Sequence, residues 1–305
     1  MANKDHGPRV GSDPELFVQD AEGNTVPICG KIGGTKEHPL IIDHLVEANY
    51  GAERRRLRRP EDVEGNYAIQ EDNVMLEFNT PAYKESSQFV DSISKMLAVL
   101  SDHVLPRHNL TLKFEASHSF KADELVKYPQ AFTIGCSPDL NAYAEGTRER
   151  QPFNATHFGN NRFCGGHIHV QYNHASVPRH IFVQFMDVMV ELPFMRYDKQ
   201  KLRRMFYGQP GIYREKPYGI EYRTPSNFWL NRVFRERHLM QMVDNVLYLA
   251  RTANDNPEEL KRIYAEIDWA DVQAAIRGED AKMADEIIDH ARHKVGLYVC
   301  PPATR

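Results

Sequence analysis

Short runs of alternating hydrophobic and polar residues predict several β-strands along this chain. The clearest run covers residues 73–80, where Glu77 and Asn79 fall on one face and Leu76 and Phe78 fall on the other. In the predicted strands that carry charge, the charged residues stand two apart and therefore share a face. The other predicted strands are residues 16–18, 110–120, 167–172 and 219–224.

Three other parts of the chain have the period of a helix. Residues 86–104 carry an apolar stripe, and residues 177–200 begin with a proline that suits a first helical turn. Beyond Asn231 the pattern is helical to about residue 293, with a break at Asn256 and Pro257. The stripe of the first helix consists of Phe89, Ile93, Leu97, Leu100 and Val104.

The arrangement of these elements predicts an α+β fold with a mostly antiparallel sheet. We expect residues 1–230 to form the core and residues 231–305 to form a helical C-terminal region packed on it. Residues 25–70 and 141–163 have neither period, so we expect irregular structure there, with a long polar loop in the second stretch.

Bulk composition limits the class of protein. The chain has 305 residues, 41% of them hydrophobic, and a formal net charge of -4, which gives no indication of nucleic-acid binding. No apolar run approaches the roughly 20 residues of a membrane span, and the first residues lack the apolar region of a secretion signal. The four cysteines contain no CxxC pair, and we therefore expect a reduced, cytoplasmic protein.

Five polar motifs carry the candidate chemistry. They comprise Asp13 with Glu15, Glu71 with the Glu77–Asn79 pair, His167 with His169, and Glu221 with Arg223, together with an arginine-rich stretch. A sheet face with this many ionisable groups cannot be a dry core, so it needs metal ions or a charged ligand. Taken singly, each motif has an alternative: a solvated strand edge, satisfied buried histidines, or a cross-strand salt bridge.

Basic residues supply the last part of the predicted site. Arg203, Arg204, Arg214, Lys216 and Arg223 lie near one another in the chain and would suit a polyphosphate placed between them and the carboxylates. A solvated basic loop is the alternative for Arg203 and Arg204. The separate run of arginines at residues 54–59 is interpreted as a solvated loop.

In their order along the chain, the motifs resemble those of the carboxylate–amine ligases with the glutamine synthetase fold. The segments GSDPE, QEDNVMLEFNTP, GGHIHV and IEYR resemble its acidic, histidine and closing Glu-x-Arg strands, and residues 207–229 are similar to the phage type 2 branch. The resemblance covers residues 11–230. Two departures stand out: Asp13 where these enzymes often have Glu, and the absence of a recognisable glutamate or ammonia pocket.

The resemblance implies a glutamine synthetase-like catalytic core. Its curved, mostly antiparallel sheet would have a polar concave face, helices on the convex side and a helical C-terminal appendix. That face would hold ATP and two or three Mg²⁺ or Mn²⁺ ions, which prefer oxygen-rich ligands. Glu15, Glu71 and Glu77 would hold one metal, and Asp13, His167 and Glu221 a second.

The resemblance also implies roles in the reaction. ATP would activate a carboxylate as an acyl phosphate, and an amine would then form the amide. His169 would contact a phosphate or the adenosine, and the nucleotide would be held by Arg203, Arg204, Arg214, Lys216 and Arg223. Glu71, Arg214 and Arg223 would take part in catalysis.

Three other functions stay open at this point. The same fold serves guanidino kinases, which phosphorylate without forming an amide. A ferrous oxygenase or hydrolase would use His167, His169 and a carboxylate as a facial triad. A non-catalytic relic would retain only the sheet. The residues identify neither the carboxylate nor the amine substrate, which can be a small molecule or a peptide, and they do not indicate an oligomeric state.

Overall fold

The computed structural model describes residues 7–50, 66–132, 139–144 and 159–300, and these form an α+β fold built on a large antiparallel sheet. The predicted fold class is therefore confirmed. The arginine run at residues 54–59 and most of the polar loop predicted at residues 141–163 lie outside the described residues.

Eleven strands of the described residues form one sheet, and two more form a separate pair. Along the main path of the sheet the order is β3-β2-β6-β1-β11-β13-β12-β9, while β4 joins through β5 to β6 and β7 joins β2. Strands β8 and β10 pair with each other. The strands are β1 (Arg9–Ser12), β2 (Glu15–Gln19), β3 (Thr25–Val26), β4 (Leu40–Ile41), β5 (Ala68–Asp72), β6 (Met75–Tyr83), β7 (Thr111–Lys113), β8 (Ser117–Ser119), β9 (Leu140–Asn141), β10 (Asn161–Phe163), β11 (Ile168–Gln171), β12 (Ile212–Lys216) and β13 (Gly219–Tyr222).

Helices cover the apolar face of this sheet, and helical segments continue to Val295. Helix α2 packs against β6, α4 against β12 and β13, and α8 against β1 and β11. The α-helices are α1 (Asp43–Tyr50), α2 (Ser86–Val99), α3 (Ala122–Leu125), α4 (Arg179–Met186), α5 (Leu192–Phe194), α6 (Lys201–Phe206), α7 (Arg232–Arg237), α8 (Leu239–Asp255), α9 (Pro257–Tyr264), α10 (Trp269–Gly278) and α11 (Ala281–His290).

Strand register places the apolar residues of the central strands on one face. Val10 lies opposite Val170, which lies opposite Ile220, so these three side chains point into the same core. All three are fully buried. Their neighbours in sequence, Gly11, His169 and Glu221, face the opposite side of the sheet and form its polar surface.

The predicted helical stripe is confirmed in the structure. Phe89, Ile93 and Leu97 are buried in α2, and a π-helical turn, Leu100–Val104, continues the helix to the predicted end. The predicted break is also present, because α8 ends at Asp255 and α9 starts at Pro257. Proline suits that first helical position because its missing N–H would have no partner there.

Three expectations about local structure need correction. Residues 25–70 are not uniformly irregular, since they contain β3, β4, α1 and part of β5. The alternating run at residues 110–120 is two strands in different sheets, because β7 pairs with β2 whereas β8 pairs with β10. Strands β1 and β12 were not predicted. Both are short, β1 contains Gly11, and β12 directly follows Gly211.

No helix among the described residues is both long and apolar enough to cross a membrane.

Candidate functional site

The site begins with a row of residues that crosses four neighbouring strands. Gly11 of β1 lies opposite His169 of β11, His169 lies opposite Glu221 of β13, and Glu221 lies opposite Arg214 of β12. Paired residues of antiparallel strands share a face, so the imidazole, the carboxylate and the guanidinium stand side by side. Gly11 contributes no side chain, which leaves space at that end of the row.

Two glycines shape the entry to β11. A Cβ on Gly165 would lie 2.1 Å from the ring nitrogen Nε2 of His167, so only glycine lets that ring pack against the chain. A Cβ on Gly166 would lie 2.2 Å from the carbonyl oxygen of Ser226. The consecutive glycines therefore allow β11 and the segment after β13 to approach closely, with His167 buried between them.

A first acidic group consists of Asp13, His169 and Glu221, whose ligand atoms all lie within 4.8 Å of one another. The Asp13 carboxylate stands 2.9 Å from His169 Nε2 and 3.4 Å from His167 Nδ1. The other ring nitrogen of His169 is 2.5 Å from the hydroxyl of Tyr218, which fixes the orientation of the ring.

Charges in and beside this first group shift the pKa of its two carboxylates. Burial acts to raise the pKa of Asp13, but the charge of His169 and hydrogen bonds from both histidines hold it well below its usual range. Burial likewise opposes ionisation of Glu221, and the Arg223 guanidinium outweighs it and lowers that pKa. Both carboxylates are therefore ionised at neutral pH.

A second acidic group, Glu15, Asp72 and Glu77, also has its ligand atoms within 4.8 Å of one another. Glu15 of β2 lies opposite Glu77 of β6. The backbone N–H of Gly165 donates to Glu15 at 2.6 Å, and the amide of Gln70 donates to Glu77 at 2.6 Å. These hydrogen bonds hold the carboxylates in place.

Burial and mutual repulsion make the second group hard to ionise fully. Burial raises the pKa of Glu15, and it raises the pKa of Glu77 well above its usual range, with the charges of Asp13, Asp72 and Glu15 adding to it. A divalent cation among three such carboxylates would remove this repulsion. The donor set, carboxylate oxygens with one or two imidazoles across both groups, fits Mg²⁺ or Mn²⁺.

Glu71 does not join the second acidic group. It lies opposite Leu76 in the β5–β6 pair, whereas Gln70 lies opposite Glu77, so Glu71 points to the other face. Its carboxylate accepts hydrogen bonds from the backbone N–H groups of four consecutive residues, at 2.7 to 3.2 Å. These residues are Gly30, Lys31, Ile32 and Gly33. Asp72, not Glu71, stands with Glu15 and Glu77, and Glu71 is hydrogen-bonded to the 30–33 loop instead.

Arg214, Lys216 and Arg223 do line the polar face. Lys216 Nζ lies 3.0 Å from one oxygen of Glu221, and Arg214 Nη1 lies 3.5 Å from the other. Arg223 Nη1 contacts Glu221 and is 3.3 Å from His167 Nδ1, and Arg223 Nη2 contacts the hydroxyl of Tyr207. Arg223 is thus enclosed by protein groups, while Arg214 Nη2 is buried without a hydrogen-bond partner among the described residues.

Arg203 and Arg204 are residues of α6, and their buried side chains contact other protein groups instead of joining the two acidic groups. Arg203 donates to the carbonyl oxygens of Thr224 and Pro225, at 2.7 and 2.8 Å. Arg204 is 2.5 Å from Glu191 and 3.4 Å from Asp198. Arg203 thus anchors the chain after β13, and Arg204 is held by Glu191 and Asp198.

Several residues of the site carried no signal in the sequence analysis. Asp139 precedes β9, and its Oδ1 is 3.0 Å from Arg214 Nε and 3.2 Å from Arg223 Nε. The Tyr207 hydroxyl is 3.0 Å from His167 Nε2. Asp139 stands alone in its segment, without a second charged residue two positions away, so a spacing argument cannot find it.

A cavity of about 280 Å³ adjoins both acidic groups. Asp13, His169 and Glu77 line it on the side of the acidic groups, and Gly11 and Ala82 contribute a part with little side-chain bulk. Three basic residues, Arg9, Lys36 and Lys216, also line it. The cavity therefore combines cations, carboxylates and open space at the polar face of the sheet.

A known protein family matches the second half of the chain. Residues 153–293 match the family described as phage phiEco32-like COOH.NH2 ligase-type 2. This match confirms the family resemblance predicted from the motifs. The matched part contains His167, His169, Arg214, Glu221 and Arg223. The fold brings Asp13, Glu15, Asp72 and Glu77, which precede the matched part, next to those residues. No curated protein matches the chain.

Proposed function

We propose that this protein is an ATP-dependent carboxylate–amine ligase that forms an amide through an acyl phosphate. The family match indicates a carboxylate–amine ligase. The observation that carries the ATP-dependent part is the pair of adjacent acidic groups beside Arg214, Lys216 and a cavity of about 280 Å³. Paired divalent cations with basic residues are the usual means of stabilising a transferring phosphoryl group.

The residues present suit two divalent cations. Glu15, Asp72 and Glu77 would hold one, and Asp13, His169 and Glu221 would hold another, with His167 Nδ1 also 3.8 Å from Glu221. Bound there, Mg²⁺ or Mn²⁺ would neutralise phosphate oxygens and orient them. The nucleotide would occupy the adjoining cavity, near Lys216 and His169.

Residues of the chain would act on charge that develops during phosphoryl transfer. The carboxylate substrate takes the γ-phosphoryl group of ATP and releases ADP, and the amine then displaces phosphate. Arg214 Nη2 is a buried guanidinium donor at the polar face without a hydrogen-bond partner among the described residues, so it would contact an oxygen of the transferring group. Arg223 would act indirectly, because it holds Glu221 and His167 in place.

An oxygenase with a two-histidine, one-carboxylate site is disfavoured by the composition of the second acidic group, which contains only carboxylates. A guanidino kinase would use the same groups on the polar face. The two functions differ in their products, because a kinase releases ADP without forming an amide.

Nucleotide binding tests the first half of the proposal. Calorimetry with the non-hydrolysable analogue AMP-PNP should show binding with Mg²⁺ and at least tenfold weaker binding with EDTA, since the carboxylates repel a bare polyphosphate. Glu15→Gln should lose the Mg²⁺-dependent part. Glu258→Gln, which removes an exposed carboxylate paired with Lys261, should not. Equal binding with and without Mg²⁺ would contradict the proposal.

Product analysis tests the second half. The protein is screened with carboxylates and amines for ADP release, and the products are analysed by mass spectrometry. A ligase gives ADP and a condensed product in equal amounts. A phosphorylated guanidino product without an amide would establish the kinase instead. Nucleotide binding without release of ADP in any combination would count against catalysis.

A further inference from the structure

We infer that Asp139 is a positioning residue for the two arginines of the site, an inference that rests on the proposed ligase function. Its Oδ1 stands 3.0 Å from Arg214 Nε and 3.2 Å from Arg223 Nε, and its side chain is only 10% exposed. On the other side of the arginines, Glu221 Oε1 contacts Nη1 of both. Two like-charged guanidinium groups are therefore held side by side between two carboxylates.

The carboxylates of Glu221 and Asp139 would have different roles when the site is occupied. Glu221 belongs to the first acidic group and would share its charge with a bound cation. Asp139 belongs to neither group, so its charge stays available to the arginines when the site is loaded. Without it, Arg214 and Arg223 would repel each other across a poorly solvated space, and their guanidinium planes would move apart.

The fold fixes the segment that carries Asp139. Strand β9 pairs with β12, and the N–H of Ala142 donates to the carbonyl of Gly211 at 2.9 Å. The Tyr143 ring packs on Gly211, where a Cβ would come within 2.6 Å of it. The Tyr143 hydroxyl then donates to the buried Asp187 at 2.8 Å. The segment that carries Asp139 is therefore anchored, and a residue that positions others must itself be held in place.

Asp139 also determines which edge of Arg214 remains for a ligand. Nε donates to Asp139 and Nη1 to Glu221, which leaves Nη2 without a hydrogen-bond partner among the described residues. An arginine presents its donors in a rigid planar fork, so fixing two of them fixes the direction of the others. We therefore expect loss of Asp139 to misplace the Nη2 donor without removing it.

The variant Asp139→Asn tests this with three measurements. In ligand-free protein, ¹⁵Nε–H NMR signals of Arg214 and Arg223, assigned with Arg214→Lys and Arg223→Lys, should both shift. The kcat for ADP release should fall at least ~tenfold, whereas the Kd for Mg²⁺ and AMP-PNP should change less than ~threefold, because positioning matters most in the transition state. Asp139→Glu should recover part of the rate.

The control is Asp285→Asn, which removes a carboxylate from an exposed pair with Arg196 and should leave all three measurements unchanged. A second variant, Tyr143→Phe, keeps Asp139 and removes only the hydrogen bond from its segment to Asp187, and should shift the same NMR signals less. If Asp139→Asn does not fold, the NMR signals of Tyr143→Phe test whether the Asp139 segment positions the two arginines.

Two results would overturn the inference. Unchanged NMR signals or unchanged kcat would show that Asp139 is a bystander. Tighter binding of AMP-PNP with faster turnover would show that Asp139 occupies the place of a ligand anion. Failure of the wild type to bind Mg²⁺ and AMP-PNP refutes the ligase proposal separately, while the NMR comparison in ligand-free protein still tests the contact itself.

Discussion

Arg214 and Arg204 differ in what their guanidinium groups already contact, and the difference separates two uses of a buried cation. Arg204 is paired with Glu191, Asp198 and Glu279, so its donors are engaged within the protein. Arg214 stands at the polar face and keeps Nη2 without a partner among the described residues. One arginine stabilises the fold, and the other is available to a ligand.

This contrast predicts opposite effects of substitution. Arg214→Lys keeps the charge but loses the fork, and should lower kcat about a hundredfold, or about 3 kcal/mol, with little change in the midpoint of unfolding. Arg204→Met leaves Glu191 and Asp198 without their cation and should cost about 3–5 kcal/mol of stability. Steady-state kinetics and denaturant unfolding check both, and a normal kcat for Arg214→Lys would remove Arg214 from the mechanism.

Asp187 gives a prediction about pH. It is fully buried, accepts hydrogen bonds from Tyr143 and Tyr222 at 2.8 and 2.5 Å, and burial raises its pKa to about 7. Between the ordinary carboxyl pKa and about 7, the folded protein keeps a proton that the unfolded chain has released. Release of this proton by the unfolded chain favours unfolding, so the stability of the folded protein falls as pH rises through that window.

Asp187→Asn removes the titrating carboxyl group and keeps nearly the same side-chain shape. The free energy of unfolding of the variant, relative to wild type, should increase from pH 4 to pH 8 by up to about 4 kcal/mol. Urea unfolding at several pH values measures the difference. A difference that is flat with pH would mean that Asp187 ionises in the folded protein as readily as in the unfolded chain.

At the scale of elements, the two glycines before β11 decide how the histidine strand meets its neighbours. Gly165 makes room for the ring of His167, and Gly166 makes room for the chain after β13. The resulting approach also allows the indole N–H of Trp229 to donate to the Gly166 carbonyl at 3.2 Å. A close backbone contact here therefore sets the position of a site residue.

Gly165→Ala should displace His167. Its Cβ would fall 2.1 Å from the ring, so we expect a loss of about 1–3 kcal/mol of stability and a large loss of Mg²⁺-dependent nucleotide binding. Gly278→Ala is the matched control, because the nearest atom to its Cβ is at 4.0 Å in a helical segment. That variant should keep binding and gain about 0.5–1 kcal/mol. Equal behaviour of the two variants would contradict the packing argument.

Across the whole molecule, the two acidic groups concentrate negative charge at the centre of the large sheet. Five carboxylates and His169 stand on β-strands or directly beside them, and Glu15 and Glu77 are buried with raised pKa. Such a surface destabilises the folded chain until cations bind to it. Stability and ligand binding should therefore be linked.

Thermal unfolding of wild type and Glu77→Gln measures this linkage. In EDTA the variant should melt at or above the wild-type Tm, because it removes a buried carboxylate that repels its neighbours. Millimolar Mg²⁺ should raise the wild-type Tm by several degrees through preferential binding to the folded state, and the variant should gain much less. A wild-type Tm that does not respond to Mg²⁺ or Mn²⁺ would argue against the second acidic group as a metal site.

Local pattern was sufficient for much of the fold. Alternation within residues 73–80 and 167–172, the stripe of α2 and the break at Pro257 all correspond to structure. Such signals survive because side-chain period and backbone chemistry act over a few residues. Strands of two residues, such as β4 and β9, carry too few positions to show a period and depend on their partners for existence.

For the site, the sequence by itself determined which residue types take part, and only the tertiary structure decided which of them meet. Spacing put Glu221 and Arg223 on one face, but the register of the β5–β6 hairpin selected Asp72 over Glu71. The side chains of Arg203 and Arg204, on α6, are buried against other partners, and the pairing of β9 with β12 brought Asp139 to Arg214 and Arg223. The Asp139 contact and the burial of Arg203 and Arg204 depend on partners elsewhere in the chain, and the β5–β6 register depends on a local turn. The spacing of side chains along one strand specifies neither.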